Sequence, residues 1–478
     1  MDVTTEPNDR IPLVVDLDGA LSKVDTYHEA VLQFILKKPF AALQALLEFK
    51  AGGDAFKSKI ADHIDAVCRN IPVEPKLLEV IAQARRDGRK VYLATAKDKQ
   101  LAEAIASSIG LFDGVFASQS GITLRGAAEA KQLVAAFGEQ GFDYCGSVAA
   151  DLPIWREARH AMIAAAPPRL VKQLSLELPK LIVLSTREFS IKPYILAIRP
   201  HQWLKNALLF VPAIAAHQFD MSTLSVLLRA FISFSLLASS AYVFNDVLDL
   251  QHDRSHPEKR HRALAAGNLT LTDSASLFIL LTALSAVFAA TLNWGFLSCL
   301  MGYFALSISY SFYLKRKLMI DVVALAGLYG IRVIAGGVAT AIAPSDWMIG
   351  FCFFMFLSLA LVKRATEMRA SPKEEFGNIQ GRGYRRNDLP TIGALMTGSG
   401  LVAVLVLGLY LNSPEVKLLY QRPFLLWGIC AILTYWLGRI FVLTERGEMR
   451  QDPVIFAATD WISQLAAGLI VAIFLAAI

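Results

Sequence analysis

Two places in this 478-residue chain gather side chains that could act on a phosphorylated substrate. In "YVFNDVLDLQHDRSHPEKRHR" (242–262), Asp246, Asp249 and Asp253 follow at steps of three and four. On a helix that spacing puts them on one face. Asn245 adds an amide oxygen beside them. Carboxylates grouped in this way suit Mg²⁺, a hard cation that keeps waters and is usually shared with substrate phosphates. The bases that follow, Arg254, Lys259, Arg260 and Arg262, can neutralise phosphate oxygens that the metal does not reach. The competing reading is a solvated helix end whose acids and bases pair with each other. The second place is "IPLVVDLDGAL", a short apolar strand that ends in Asp16-Leu17-Asp18-Gly19. It sets two carboxylates at the carboxyl edge of a parallel sheet, where open α/β folds bind ligands.

These residues need two different kinds of scaffold. The chain is 55% hydrophobic and only 18% charged, with a mean hydropathy of +0.45, whereas soluble proteins carry about 25% charge. The division falls near residue 200. Before it the chain alternates strand-like runs ("RKVYLATA", "GVFAS", "FDYCGS", "AMIAAA") with helical stretches, a doubly wound α/β pattern. After it come apolar segments at 202–217, 223–244, 273–293, 295–314, 321–342, 346–363, 390–411, 423–443 and 456–477. A crossing needs about 20 residues. Bases cluster in alternate loops (254–262, 315–317, 363–386 and 446–450), which places those loops and the N-terminal half in the cytoplasm. The N-terminus shows no basic flank with an apolar run behind it, so no cleavable signal is expected. Five scattered cysteines show no metal-ligand spacing and read as buried thiols. The net charge of +6 is mild, and nothing points to nucleic acid.

The run "NDVLDLQHDRSHPEKRHRALAAG" resembles the N-D-x-x-D-x-x-x-D motif of the UbiA superfamily of intramembrane prenyltransferases. It is most similar to the branch of decaprenyl-phosphate phosphoribosyltransferases. "RPHQWLKNALLFVPA" (199–213), "YSFYLKRKLMIDVVALAGLYGIRVIAGG" (310–337), "ALVKRATEM" (360–368) and "DPVIFAATD" (452–460) support the likeness in order. The resemblance implies nine spans and a cytoplasm-facing cavity. Aromatic prenyltransferases of the superfamily carry a second Asp-x-x-x-Asp after the sixth span. Here that loop offers Lys363, Arg364, Glu367, Arg382, Arg385 and Arg386 instead. One acidic cluster with many bases suits phosphoribosyl pyrophosphate as donor and a polyprenyl phosphate as acceptor. The resemblance assigns Asn245, Asp246, Asp249 and Asp253 to Mg²⁺ and pyrophosphate, with Asp246 and Asp249 catalytic. It assigns Lys205, Asn206 and Arg262 to donor phosphates, and Tyr310, Lys315 and Arg332 to the cavity wall. Lys363 and Arg364 are the candidates for the lipid phosphate, with Glu367 orienting them. For single bases the competing reading is topology signalling.

Residues 10–168 resemble the haloacid-dehalogenase (HAD) superfamily of aspartyl-phosphate phosphatases, with a helical cap inserted over about 26–75. By that resemblance Asp16 is the nucleophile and Asp18 the general acid/base. Thr95 holds a phosphoryl oxygen and Lys131 neutralises it. Asp16, Asp18 and Asp151 are the implied Mg²⁺ ligands. Two departures stand out: Ser147 replaces the first acid of "GSVAADLP", and Ala20 replaces the usual Thr after D-x-D-G. They leave two readings open, an active phosphatase and a binding or assembly domain.

The expected protein is therefore multidomain. A soluble α/β HAD-like Rossmannoid domain with helical cap (1–168) leads through an interfacial linker (169–198) to an all-α polytopic membrane domain of about nine helices (199–478). It sits in the cytoplasmic membrane, uses Mg²⁺, and makes a polyprenyl-phosphoryl-ribose for cell-envelope glycans. A homo-oligomer is compatible with this. The rivals are an aromatic or haem-type prenyltransferase with a non-catalytic HAD-like domain, and a transporter or lipid-binding scaffold.

Overall fold

The computed structural model describes residues 11–38, 40, 41, 44, 71–118, 124–370, 383–449 and 452–478. The chain forms two compact units. One comprises Met1–Ala197 with Asp246–Ala275, the other Ile198–Asn245 with Ser276–Ile478. Residues 246–275, expected as part of the membrane domain, thus cluster with the N-terminal half.

The first unit is built on a parallel sheet of β1 (Leu13–Asp16), β2 (Val91–Asp98), β3 (Gly114–Ser118), β4 (Asp143–Gly146), β5 (His160–Ile163) and β6 (Ile182–Val183). Their order is β3-β2-β1-β4-β5-β6. β1 lies centrally, and Leu13, Val14 and Val15 are fully buried, as a parallel strand covered on both faces requires. Alternation along β1 divides the core. Leu13 and Val15 pack with Leu77, Ile81, Leu101 and Ile105 on one face. Val14 packs with Leu133, Ile154, Trp155 and Leu174 on the other. Strand order reverses at β1, so the crevice beyond its carboxyl end is the switch point where such sheets hold ligands. This is the doubly wound parallel arrangement expected from the alternation of strands and helices.

The linker, expected as an interfacial helix or tether, is more elaborate. Instead of a plain tether it forms helix Pro168–Glu177, strand β6 and helix Lys192–Ile198. Ile182 and Val183, a β-branched pair, extend the sheet on the free edge of β5. Of the proposed cap, helix Thr26–Lys37 is described. It starts on Asp25, whose side chain accepts from Tyr27 N and His28 N. Residues 45–70 of the insertion, Cys68 among them, lie outside the described residues.

In the second unit, seven described helices are long and apolar enough to cross a membrane: Met221–Leu248, Leu271–Ala290, Trp294–Phe312, Ile320–Thr340, Asp346–Ala370, Arg386–Leu411 and Pro423–Glu445. The bent pair Pro453–Thr459 and Trp461–Ala477 makes eight if taken as one span. The 82° bend falls at Asp460. Its carboxylate caps the second helix through Ser463 N and pairs with both Arg439 terminal nitrogens at 2.7 and 3.0 Å.

The expected span 202–217 is not a membrane helix. It is a 3-10 stretch, Pro200–Phe210, followed by the short helix Val211–Ala215. Polar side chains within it reach other helices: Trp203 Nε1 donates to Ser239 Oγ (2.9 Å) and Asn206 Nδ2 to Ser235 Oγ (2.9 Å). The stretch lies tight against Ile320–Thr340, where a Cβ on Gly336 would come within 1.9 Å of the Leu209 carbonyl oxygen. Only glycine allows this approach.

Asp143, at the start of β4, ties the sheet to its loops. It is 2% exposed. It accepts from Arg159 Nε and Nη2 (2.9 and 2.7 Å), lies 3.1 Å from His160 Nδ1, and also bonds Arg89. Burial alone would raise its pKa, but Arg159 and Arg89 hold it below the usual carboxylate range. Stability from a lowered carboxylate pKa is present above the unfolded value and is lost as pH falls through the folded one. Replacing Asp143 by Asn should cost the α/β unit about 1–3 kcal/mol at pH 7. In chemical denaturation against pH, the gap between Asp143→Asn and wild type should close below about pH 4.

Candidate functional site

The acidic motif was expected on one continuous helical face, but the helix breaks within it, at Asp249. Helix Met221–Leu248 runs through Asn245 and Asp246. Asp249 stands at the junction, and helix Leu250–Ser255 continues beyond it, with Asp253 N bonded to Asp249 O at 2.8 Å. Arg262 comes back from the following loop and places one nitrogen against two of the acids, 3.2 Å from Asp246 Oδ1 and 2.6 Å from Asp253 Oδ2. Burial raises the pKa of Asp253, and Arg262 opposes that shift. Among the described residues no three His, Cys, Asp or Glu side chains close around a single metal position. The residues nonetheless fit Mg²⁺. Two carboxylates already converge on one cationic nitrogen, and Mg²⁺ is usually bound by one or two carboxylates with waters and substrate phosphates.

The second unit holds the bases. Lys205 Nζ lies 2.8 Å from Asp452 Oδ2, and Lys363 Nζ lies 3.4 Å from the same oxygen. Asp452, which also caps helix Pro453–Thr459, was not among the expected site residues. Asn206 accepts from Arg332 Nε at 2.8 Å. Arg332 also donates to Tyr303 Oη at 3.2 Å and lies over the Tyr303 and Phe234 rings. Tyr310 and Lys315 are half-buried, at the end of helix Trp294–Phe312 and in the turn after it.

Arg364 requires a correction. It is fully buried, lies 2.5 Å from Asp321 Oδ2, and also pairs with Glu367. Tyr384 Oη donates to Asp321 Oδ1 at 2.5 Å or less. A guanidinium neutralised by two acids inside the bundle anchors helices and is not presented to a lipid phosphate. Lys363, whose side chain is 36% exposed, keeps that candidacy. Arg382 lies outside the described residues, and Arg385 and Arg386 are exposed.

In the α/β unit, β1 delivers Asp16 and Asp18, β2 delivers Thr95, and the turn after β4 delivers Ser147 and Asp151. Asp151 Oδ2 accepts from Ser147 N (2.9 Å) and Val148 N (3.1 Å). Asp18 Oδ1 accepts from both Thr26 N and Thr26 Oγ1 at 3.1 Å. Gly19 has φ +90°, and a Cβ there would meet Ser147 Oγ at 2.5 Å.

Lys131 is not brought to this group; its side chain is exposed. On the same helix, two residues earlier, the buried Glu129 faces inward instead, its Oε1 accepting from Tyr144 Oη at 3.4 Å. The nearby ammonium is Lys97, 3.5 Å from Asp18 Oδ2 and 3.0 Å from Asp25 Oδ1. Neither Glu129 nor Lys97 was singled out from the sequence. Helical phase separates Glu129 from Lys131 by about 200°, and a fixed phase for the "EAKQL" helix would have found it.

Burial, then Asp151 and Glu129, push the Asp16 pKa up. Burial raises Asp151 too. Glu129 is pushed up to about 8, by burial first and by Asp151 second. A carboxyl whose folded pKa is raised stays protonated in the native state while the unfolded chain ionises, so stability falls as pH rises between the two values. With divalent cations chelated, the α/β unit should lose stability from about pH 4.5 to about 8. Glu129→Gln should flatten that slope, read as unfolding temperature against pH.

Residues 207–463 match the UbiA prenyltransferase family. A Sinorhizobium fredii protein called "Uncharacterized protein y4nM" is 33% identical over 472 residues, 98% of this chain and 91% of its own length. The decaprenyl-phosphate phosphoribosyltransferase of Mycobacterium tuberculosis is 35% identical over 184 residues, which cover 37% of this chain and 60% of that protein. The structure of a UbiA homolog from Archaeoglobus fulgidus bound to DMAPP and Mg²⁺ aligns with 59% of this chain and 98% of that one, at 15% identity and a TM-score of 0.46. The chain belongs to the UbiA prenyltransferase family.

Proposed function

We propose that this enzyme transfers 5-phosphoribose from phosphoribosyl pyrophosphate to a polyprenyl phosphate at the cytoplasmic face of the membrane. The α/β unit then removes the ribose 5-phosphate, giving polyprenyl-phosphoryl-ribose for cell-envelope glycan synthesis. The observation that carries the transfer reading is Arg262 against Asp246 and Asp253. A base and two acids meet there, so Mg²⁺ on the acids would free the guanidinium for phosphate oxygens. Asp246, Asp249 and Asp253 would hold Mg²⁺, which would supply positive charge for the pyrophosphate.

The chain's own residues do the rest. Lys205 and Lys363 share the single carboxylate of Asp452, so this trio keeps a net positive charge suited to a phosphate. Arg332 is held by Asn206 and Tyr303, which fixes the direction of its fork. A lipid phosphate oxygen attacks the anomeric carbon as the bond to pyrophosphate breaks, and pyrophosphate leaves with the electron pair. The nucleophile is already anionic, so no general base is needed. For the second step, Asp16, Asp18, Thr95 and Asp151 converge at one strand edge, with Lys97 as the positive group beside Asp18.

A second reading of the α/β unit, a domain without phosphatase activity, draws on Ser147 in place of a carboxylate and on the exposed Lys131.

Mass spectrometry of lipid products tests both steps, with protein in detergent given Mg²⁺, polyprenyl phosphate and phosphoribosyl pyrophosphate. The expected product is lipid-linked ribose without its 5-phosphate. Asp246→Asn should slow transfer by about 100-fold or more. Asp16→Asn should leave transfer intact and accumulate the phosphorylated lipid. Fully dephosphorylated lipid from Asp16→Asn would remove the α/β unit from the sequence of steps. Wild-type product that keeps its 5-phosphate would favour the second reading. The absence of any lipid-linked sugar would return the enzyme to prenyl transfer onto an aromatic acceptor.

A further inference from the structure

A buried ion pair of the first unit joins two segments that lie 225 residues apart. Glu29, on helix Thr26–Lys37, receives both terminal nitrogens of Arg254 at 2.6 Å. The side chains are 1% and 3% exposed. Arg254 follows Asp253 directly, and its Nε donates to the Ala265 carbonyl at 3.2 Å. Its guanidinium therefore fastens both ends of the loop that carries Arg262.

Apolar packing runs alongside, with Leu32 against the cluster of Leu250, Leu264 and Ala265, which Val247 and Leu271 also join. The loop's return is held as well. A Cβ on Gly267 (φ +72°) would meet Lys23 and Pro72, and Arg187 bonds the carbonyls of both Lys23 and Gly267. In the same first turn of this helix, the N–H and hydroxyl of Thr26 hold Asp18.

We infer that Glu29 is a positioning residue for the transferase. Through Arg254 the α/β unit sets the orientation of Asp253 and, through the loop, of Arg262. The acidic motif then works only while helix Thr26–Lys37 grips it, whether or not the Asp16 site turns over. The physical reason is direction. A bidentate guanidinium–carboxylate pair fixes a plane as well as a distance, and so holds in place the helix backbone from which the adjacent Asp253 projects. The inference rests on the assignment of Asp246, Asp249 and Asp253 to Mg²⁺ and pyrophosphate, but not on the identity of the sugar donor or the acceptor.

The test is calorimetric titration of the full chain, in detergent, with inorganic pyrophosphate in excess Mg²⁺. Glu29→Gln should weaken binding by about 10- to 100-fold, as loss of an outer-shell partner does at metal sites. Wild-type affinity in Glu29→Gln, or no pyrophosphate binding by the wild-type chain, overturns the inference. Because breaking one side of a buried pair can unfold a protein, the double variant Glu29→Met with Arg254→Met is measured too. Apolar replacement of such a pair is often neutral for stability. A double variant that melts like wild type yet binds pyrophosphate weakly supports positioning; one that recovers both overturns it.

Hydrogen exchange on the wild type needs no variant. Mg²⁺ with pyrophosphate should protect amides of Thr26–Lys37 together with those of 246–262. Protection of 246–262 alone overturns the inference. A wild type that binds pyrophosphate and passes these tests, but makes no lipid-linked ribose, refutes the proposed substrates and leaves the positioning role standing.

Discussion

A charge taken out of water must be met by an opposite charge or a set of hydrogen bonds, because an uncompensated buried ion costs several kcal/mol. Much of this structure follows from that constraint. Within the helical unit, Arg364 is met by Asp321 and Glu367, which joins helices Ile320–Thr340 and Asp346–Ala370. Tyr384 binds the same Asp321. Lys205 and Lys363 are met by Asp452, which brings the 3-10 entry segment and helix Asp346–Ala370 to the start of the last helices. Arg439 meets Asp460 at the bend of the final pair. Apart from Arg364 and Glu367, which share a helix, each pair joins separate elements, so the charges fix packing that apolar side chains alone leave degenerate.

The same constraint separates residues that hold the fold from residues left for chemistry. Arg364 has two acids within reach and is neutralised. Lys205 and Lys363 divide one acid between them and retain positive charge. Arg262 bridges two carboxylates, so that arrangement retains negative charge. The surplus of either sign is what a magnesium-bound pyrophosphate or a lipid phosphate can use, and neighbouring bases on one helix, Lys363 and Arg364, differ in just this respect.

In the α/β unit the imbalance runs the other way. Asp16, Asp151 and Glu129 are gathered with little positive charge among them, and their pKa values rise accordingly. Such a group takes up protons or a cation. Ser147, in the turn after β4, brings no carboxylate to this edge, while Glu129 brings one from the neighbouring helix. Lys97, reaching Asp18 from near the end of β2, occupies the region of charge that Lys131 was expected to fill.

The sequence by itself determined the two-part organisation, the parallel sheet with Asp16 and Asp18 at its edge, and most of the apolar helices. All of these are local: they follow from hydrophobic period, run length and short spacing, which the chain carries whatever its partners. Tertiary structure alone decided that 202–217 folds as a 3-10 stretch and a short helix rather than a span, with Leu209 lying tight against Gly336. It alone decided that Ile182 and Val183 join the sheet, that Glu129 rather than Lys131 faces Asp16, and that Arg364 is neutralised. It also decided that the acidic loop belongs with the α/β unit through Glu29 and Arg254. These outcomes turn on which distant charge or surface a residue meets, and spacing along the chain does not encode that: Glu29 and Arg254 are 225 positions apart and become partners only when both are buried.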